Sequence, residues 1–171
     1  KGDYRGAIEP MTATLDQVMP PNNDMEAIAR GERELALDCL RALAVIFSQL
    51  DGARSIDQAY DQLGPRAYQP LLYLQLADLY LAQERYGDSA ETYKAYLRNF
   101  PDSSEAPRIQ LQVIASYEAG GFPVLVAEQK RLYLQRFALD GEYWHGSGET
   151  GRAGIRRYLK FLNRILRDVD Q

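Results

Sequence analysis

The stretch LADLYLAQERYGDSAETYKAYLRNFP, Leu76 to Pro101, decides the fold. With Tyr73 just ahead of it, Leu76, Ala77 and Tyr80 recur at the spacing of one helical face. A polar turn follows, and Tyr86, Ser89, Tyr93 and Leu97 mark a second helix that Phe100-Pro101 stops. Ala77 and Ser89 are small residues among leucines and tyrosines. Two helices approach closely only where side chains are small, and the bulky ones fill the space on either side. These two positions therefore predict helix contacts.

The pattern has an earlier copy. Leu43 precedes Leu76, Phe47 precedes Tyr80 and Tyr60 precedes Tyr93 by one constant interval, with Leu40 and Ala44 completing the upstream face. That interval falls close to the helix-turn-helix unit of about 34 residues that is the period of the tetratricopeptide repeat. The chain resembles that family on Tyr73, Leu76, Ala77, Tyr80, Ser89, Tyr93 and Pro101, which meet its order of aromatic, leucine, small and tyrosine, then small, aromatic and proline. The resemblance implies an all-α fold, an α-α superhelix or solenoid of antiparallel helix pairs.

Residues 1–20 read as the second helix of a truncated unit, with Gly2, Asp3, Tyr4, Ala7, Ile8, Met11 and Leu15 at matching places and Pro10 tolerated only near the helix start. Residues 25–69 form the next unit. Its first helix is expected to begin near Met25, after the loop Pro20–Asp24, and to run through Leu35 to Leu50. Residues 70–103 are the best-formed unit and 104–138 a degenerate one, with Ile109, Val113, Ile114 and Tyr117 apolar on its first helix. Gly120-Gly121 ends that helix, and a partner from Pro123 to Phe137 is expected to bury Leu125, Val126, Leu132 and Tyr133. Ile114 stands where a small residue is expected and Pro123 where a turn aromatic is, which predicts an altered crossing angle. Residues 139–151 form a Gly-rich loop, and 152–169 a closing helix with Ile155, Tyr158, Leu159, Leu162, Ile165 and Leu166 on one face. Both ends read as cut from a longer solenoid, and the opening Lys1 suggests that a targeting segment lies outside the sequence.

Composition narrows the function. With 171 residues and 46% hydrophobic content the chain is long enough for a core, and a formal net charge of -4 argues against nucleic acid as a partner. No apolar run approaches the ~20 residues that span a bilayer. One cysteine, Cys39, and one histidine, His145, leave neither a disulfide nor a structural zinc set. No cofactor or metal is implied.

The loop Gly146–Gly151 with Arg152 and Ala153 superficially matches a nucleotide-binding loop, but it lacks the lysine, the hydroxyl and the preceding strand that hold phosphate and magnesium. A connector is the better reading. His145 with Glu142, Glu149 or Cys39 can be assembled on paper into a catalytic set, yet no motif positions them together. Cys39 beside Leu40 reads as a small core residue with an inert thiol. Tyr143 and Trp144 read as loop anchors packed on a neighbouring helix. Arg152, Arg156, Lys160 and Arg164 recur at steps of four, joined by Arg157 and Arg167. Such a basic stripe can dock an acidic partner, anionic lipid headgroups or nucleic acid or, more simply, is the solvated side of an amphipathic helix.

In arrays of this family the first helices line a concave groove. The resemblance places Arg41, Val45, Ser48 and Gln49, then Leu74, Gln75, Asp78 and Leu81, then Leu111, Gln112, Ala115 and Glu118 along it. Family members that grip the C-terminal carboxylates of chaperones use cationic and amide donors there. Asp78 and Glu118 argue against that ligand, whereas Leu74, Leu81 and Leu111 suit peptide segments with apolar anchors. The expected function is a non-catalytic scaffold for a protein or peptide partner. The alternatives are a self-associating structural segment and, behind it, an enzyme built around His145. The FPDSSEAP junction, Phe100 to Pro107, is similar to that of periplasmic members in Gram-negative envelopes that serve outer-membrane assembly or envelope constriction. It implies a periplasmic or envelope location, with the cytoplasm as the alternative.

Overall fold

The structure, a computed structural model, describes residues 5–138 and Tyr143. Among these residues there is no strand, and every regular element is a helix. Seven α-helices follow one another: α1 (Ile8–Val18), α2 (Arg30–Gln49), α3 (Ala53–Leu63), α4 (Gln69–Ala82), α5 (Tyr86–Asn99), α6 (Ala106–Ala119) and α7 (Pro123–Arg136). Short 3-10 turns cover Arg5–Ala7 and Met25–Ala27.

Prolines and turns set the boundaries. Pro70, Pro107 and Pro123 lie in the first turns of α4, α6 and α7, where a missing N–H costs nothing. Pro10 occupies the same kind of place in α1. Three helices end alike: the N–H of Gly52 donates to the Phe47 carbonyl at 3.0 Å, that of Arg85 to Tyr80 at 2.8 Å and that of Phe122 to Tyr117 at 3.0 Å. At α4 and α6 a second bond closes the motif, Glu84 to Leu81 and Gly121 to Glu118, and the residue between is left-handed, with φ 58° at Glu84 and 71° at Gly121. The step from Phe47 to Tyr80 is that of the sequence repeat, and the step from Tyr80 to Tyr117 is longer by one helical turn, so the same turn recurs at unequal intervals.

A second feature recurs with the longer step. Tyr96 packs on Phe100 with ring centroids 5.3 Å apart and tilted 60°, and Tyr133 packs on Phe137 at 5.2 Å and 59°. In each case the two rings are one helical turn apart, at the end of a helix, and therefore share a face.

Packing runs α1 on α2, α2 on α4, α4 on α5, α5 on α6 and α6 on α7. Leu40, Leu43, Ala44 and Phe47 of α2 and Leu72, Tyr73, Leu76, Ala77 and Tyr80 of α4 are buried in a single core. Ser89 is fully buried, and its Oγ lies 3.4 Å from the Oγ of Ser116 on α6, so this small residue is a contact point between successive pairs. Ala77 is likewise closed from solvent.

The region before α4 departs from the regular pattern. The segment around Met25 is a 3-10 turn, α2 starts at Arg30, and Leu35 in its first turns is 46% exposed. α3 packs lightly on α2 and leans on α4 and α5. Tyr93 finds a carboxylate on the helix before it, Asp78, at 2.8 Å. For Tyr60, the equivalent of Tyr93 one repeat earlier, the position matching Asp78 is Val45, and Tyr60 instead shares a hydrogen bond with Thr12 of α1 at 3.1 Å. A missing acceptor thus goes with a changed partner. In α7, Tyr133 is buried as expected, but Leu132 is 44% exposed and Leu125 and Val126 are only half-buried. Gln129 and Phe137 take the interior places, Gln129 because the side-chain amide of Gln110 donates to it at 2.9 Å.

Candidate protein-interaction surface

The residues expected to line a groove lie on α2, α4 and α6. On α2, Val45 is 47% exposed, Gln49 is exposed, and the Ser48 hydroxyl donates to the Val45 carbonyl at 2.7 Å. Arg41 is exposed and pairs with Asp38 at 2.9 Å, an ion pair that is well solvated and of little energetic weight. On α4, Leu74 and Leu81 are half-buried against the core and Gln75 is half-buried beside them. On α6, Leu111 and Gln112 are half-buried and Ala115 is exposed. Because α2 packs directly on α4, the first two sets lie on neighbouring helices, while the α6 set is joined to them through α5.

Both carboxylates of the expected groove are already engaged. Asp78 accepts from Tyr93 of α5, and Glu118 lies 3.0 Å from the Lys130 ammonium of α7. Each is therefore held within its own helix pair. What remains on these faces is apolar and amide in character: Val45, Leu74, Leu81 and Leu111 with Gln75 and Gln112. That chemistry suits a segment with apolar side chains and free backbone groups.

Tyrosine-to-acid bonds recur at the helix junctions. Tyr68 donates to Asp16 at 2.7 Å, Tyr117 to Glu91 at 2.7 Å, and Tyr73 makes a short bond to Asp57. Burial first, and then the carboxylate partner, pushes the hydroxyls of Tyr68, Tyr73, Tyr93 and Tyr117 well above the ordinary phenol range. Hydrogen bonding from Arg66 holds Asp16 below the usual carboxylate range against the opposing effect of burial, and the bond from Tyr68 adds to the lowering. Glu91 is pushed up by burial, but the bonds from Lys94 and Tyr117 outweigh this and leave it lowered. These groups serve as joints between helices.

Two recesses were not legible in the sequence. One, of about 330 Å³, lies where the α2–α3 turn meets α5 and mixes Arg54, Arg85 and Arg98 with Asp51, Asp57 and Asp88. Arg54 pairs with Asp51 at 3.2 Å and Arg85 with Asp88 at 2.8 Å, so its charges largely cancel. Arginine and acid residues interleaved on α3 and α5 were the available signal, but only the fold brings them together. The other recess, of about 450 Å³, opens at the α6–α7 turn beside Phe122, Val126 and Ala127.

Among the described residues no cluster of histidine, cysteine, aspartate and glutamate is arranged to hold a metal ion, and no helix is long and apolar enough to cross a membrane. Burial first, and then the nearby Asp38, pushes the Cys39 thiol up, away from the nucleophilic thiolate. Tyr143 is an anchor: its hydroxyl donates to the Ser103 carbonyl at 2.7 Å and its ring meets Phe137 edge-on at 4.9 Å. His145, Trp144, the loop Gly146–Gly151 and the stripe Arg152, Arg156, Lys160 and Arg164 lie outside the described residues. No protein-family model matches the chain, and neither does any curated protein or solved structure.

Proposed function

We propose that this chain is a segment of a tetratricopeptide-type solenoid that acts as a non-catalytic interaction scaffold, taking a protein or peptide segment along the faces of α2, α4 and α6. The observation that carries the reading is the recurrence of one helix-ending bond at Phe47–Gly52, Tyr80–Arg85 and Tyr117–Phe122. It gives the three helices a common ending, which supports reading their off-core positions as one repeating side. Val45, Leu74, Leu81 and Leu111 on that side offer apolar anchors, and Gln75 and Gln112 offer donors and acceptors for a backbone. The assignment to the periplasm or cell envelope rests on the similarity of Phe100–Pro107 to envelope members of the family.

The test is a photo-crosslinking amino acid placed at Gln75 or Gln112 in cells, with Arg131 on exposed α7 as the comparison site. A discrete adduct from the two groove positions, lost on Leu74→Asp with the helical spectrum retained, is the expected result. Equal labelling from Arg131, or no adduct from either groove position, overturns it. Fractionating the same cells reports the compartment.

A further inference from the structure

Three residues of the candidate surface carry charge: Arg41, Asp78 and Glu118. Two of them are neutralised. Arg41 pairs with Asp38 at 2.9 Å, and Glu118 with Lys130 at 3.0 Å. Asp78 differs, because the group that holds it is uncharged: Tyr93 donates its hydroxyl to Oδ1 at 2.8 Å. Among the described residues no cation is paired with this carboxylate, and Arg108, whose charge reaches Tyr93, is taken by Glu105 at 2.5 Å. The surface therefore keeps one uncompensated negative charge, on the exposed side of α4.

The joint between α4 and α5 does not require that charge. Tyr60, the counterpart of Tyr93 one repeat earlier, shares its bond with the hydroxyl of Thr12 at 3.1 Å, so an uncharged partner serves a buried tyrosine in this fold. What Asp78 adds is an oriented anion. Tyr93 occupies Oδ1, while Oδ2 has no bonded partner among the described residues. The surroundings are apolar. Leu74 and Leu81 stand one helical turn before and after Asp78 on the same side of α4, and the residues that match it on α2 and α6 are Val45 and Ala115. An acidic side chain arriving here is repelled, and an apolar one strips water from the carboxylate without giving it a counter-charge. A lysine or arginine does neither, because its aliphatic stem lies along leucine while its head reaches the carboxylate. Resting on the reading that these faces take a protein or peptide segment, we infer that the segment is cationic at its centre: a lysine or arginine on Asp78, with apolar side chains on either side against Leu74, Leu81 and Val45. Asp78 is the residue that sets this specificity, and Tyr93 positions it.

The test selects binders from a displayed library of random peptides on the full chain. A photo-crosslinking amino acid at Gln75 sorts the binders of this surface from the others, and their affinities are measured by fluorescence anisotropy against the parent, Asp78→Asn and Asp78→Glu. Asparagine keeps an acceptor for Tyr93 and removes only the charge, which glutamate restores. The expected result is that the surface binders share a lysine or arginine between apolar residues, bind Asp78→Asn about tenfold more weakly, recover with Asp78→Glu, and weaken as salt is added. Surface binders without a cation, or ones that bind Asp78→Asn as tightly as the parent, overturn the inference and leave the scaffold reading standing. A library that yields no peptide crosslinked at Gln75 overturns both. Should Asp78→Asn lose its helical spectrum, the parent decides with altered peptides: acetyl-lysine for lysine, or citrulline for arginine, is expected to weaken binding about tenfold, and unchanged affinity overturns the inference.

Discussion

Tyr117 on α6 donates its hydroxyl to Glu91 on α5 across 2.7 Å, joining one helix pair to the next. Glu91 is also held by Lys94 at 2.8 Å, so a half-open carboxylate is fixed from both sides. Tyr117→Phe leaves the ring packing and removes only the bond. The expected loss is about 1 kcal/mol, below the ~1.5 to 3 kcal/mol of a bond to a buried charged group because Glu91 is reached by water. A urea unfolding midpoint unchanged by the substitution would show that the joint carries no stability.

Acid should loosen the α1 joint. Asp16 has a folded pKa lowered from its ordinary 3.8, so its contribution is present above that value and is lost as pH falls through the lower folded one. Stability measured by denaturant titration is therefore expected to decline below about pH 4, and less steeply in Asp16→Asn. Alkali acts in the opposite direction. The four joint tyrosines have folded pKa values raised above 10.0, so their contribution is intact below that value and is lost as pH rises beyond it. A chain equally stable at pH 8 and at about pH 11.5 contradicts this.

The core register is tested at two adjacent residues. Leu76 and Ala77 are both closed from solvent. Leu76→Ala should cost ~2 to 5 kcal/mol through the lost contacts and the cavity. Ala77→Leu should cost ~1 to 3 kcal/mol because the close approach of α4 to its neighbours has no room for the added atoms. Thermal melts that match the parent in either variant count against this packing.

The α4 and α6 turns predict substitutions of opposite sign. Glu84 is a non-glycine residue at φ 58°, in the left-handed region, and Glu84→Gly should stabilise by about 0.5 to 1 kcal/mol. At Gly120 an added methyl would lie 2.8 Å from Tyr86 Cβ and closer still to the Phe122 ring, so Gly120→Ala should destabilise by about 1 to 3 kcal/mol. Denaturation midpoints that move in the same direction for both refute the turn geometry.

Much of the helix pattern is readable in the sequence. Pro70, Pro107 and Pro123 mark starts, Gly120-Gly121 and Phe100-Pro101 mark ends, and Leu76, Tyr80, Tyr93 and Leu97 show which sides are apolar. Less is readable in α7 and around Met25. Composition starts a helix near Met25, where the chain makes a 3-10 turn, and spacing puts Leu132 inside, whereas it is 44% exposed. On the candidate surface, the expected positions are helical and off the core, but spacing gives no sign that Asp78 and Glu118 are engaged. Their partners, Tyr93 and Lys130, sit across a turn on the next helix, out of reach of any local pattern.

The sequence by itself determined that the chain is helical, and it determined the phase in which Leu43 repeats as Leu76 and Phe47 as Tyr80. Those properties follow from spacing and from chain-breaking residues, which act within a few positions of themselves. Only the tertiary structure decided that α3 leans on α4 and α5, that Gln110 and Gln129 share a buried bond, and that Ala127 is open where Ala90 is closed. Burial and pairing are set by whichever surface arrives from elsewhere in the chain, and a local pattern offers the same face whether or not a neighbour comes to cover it.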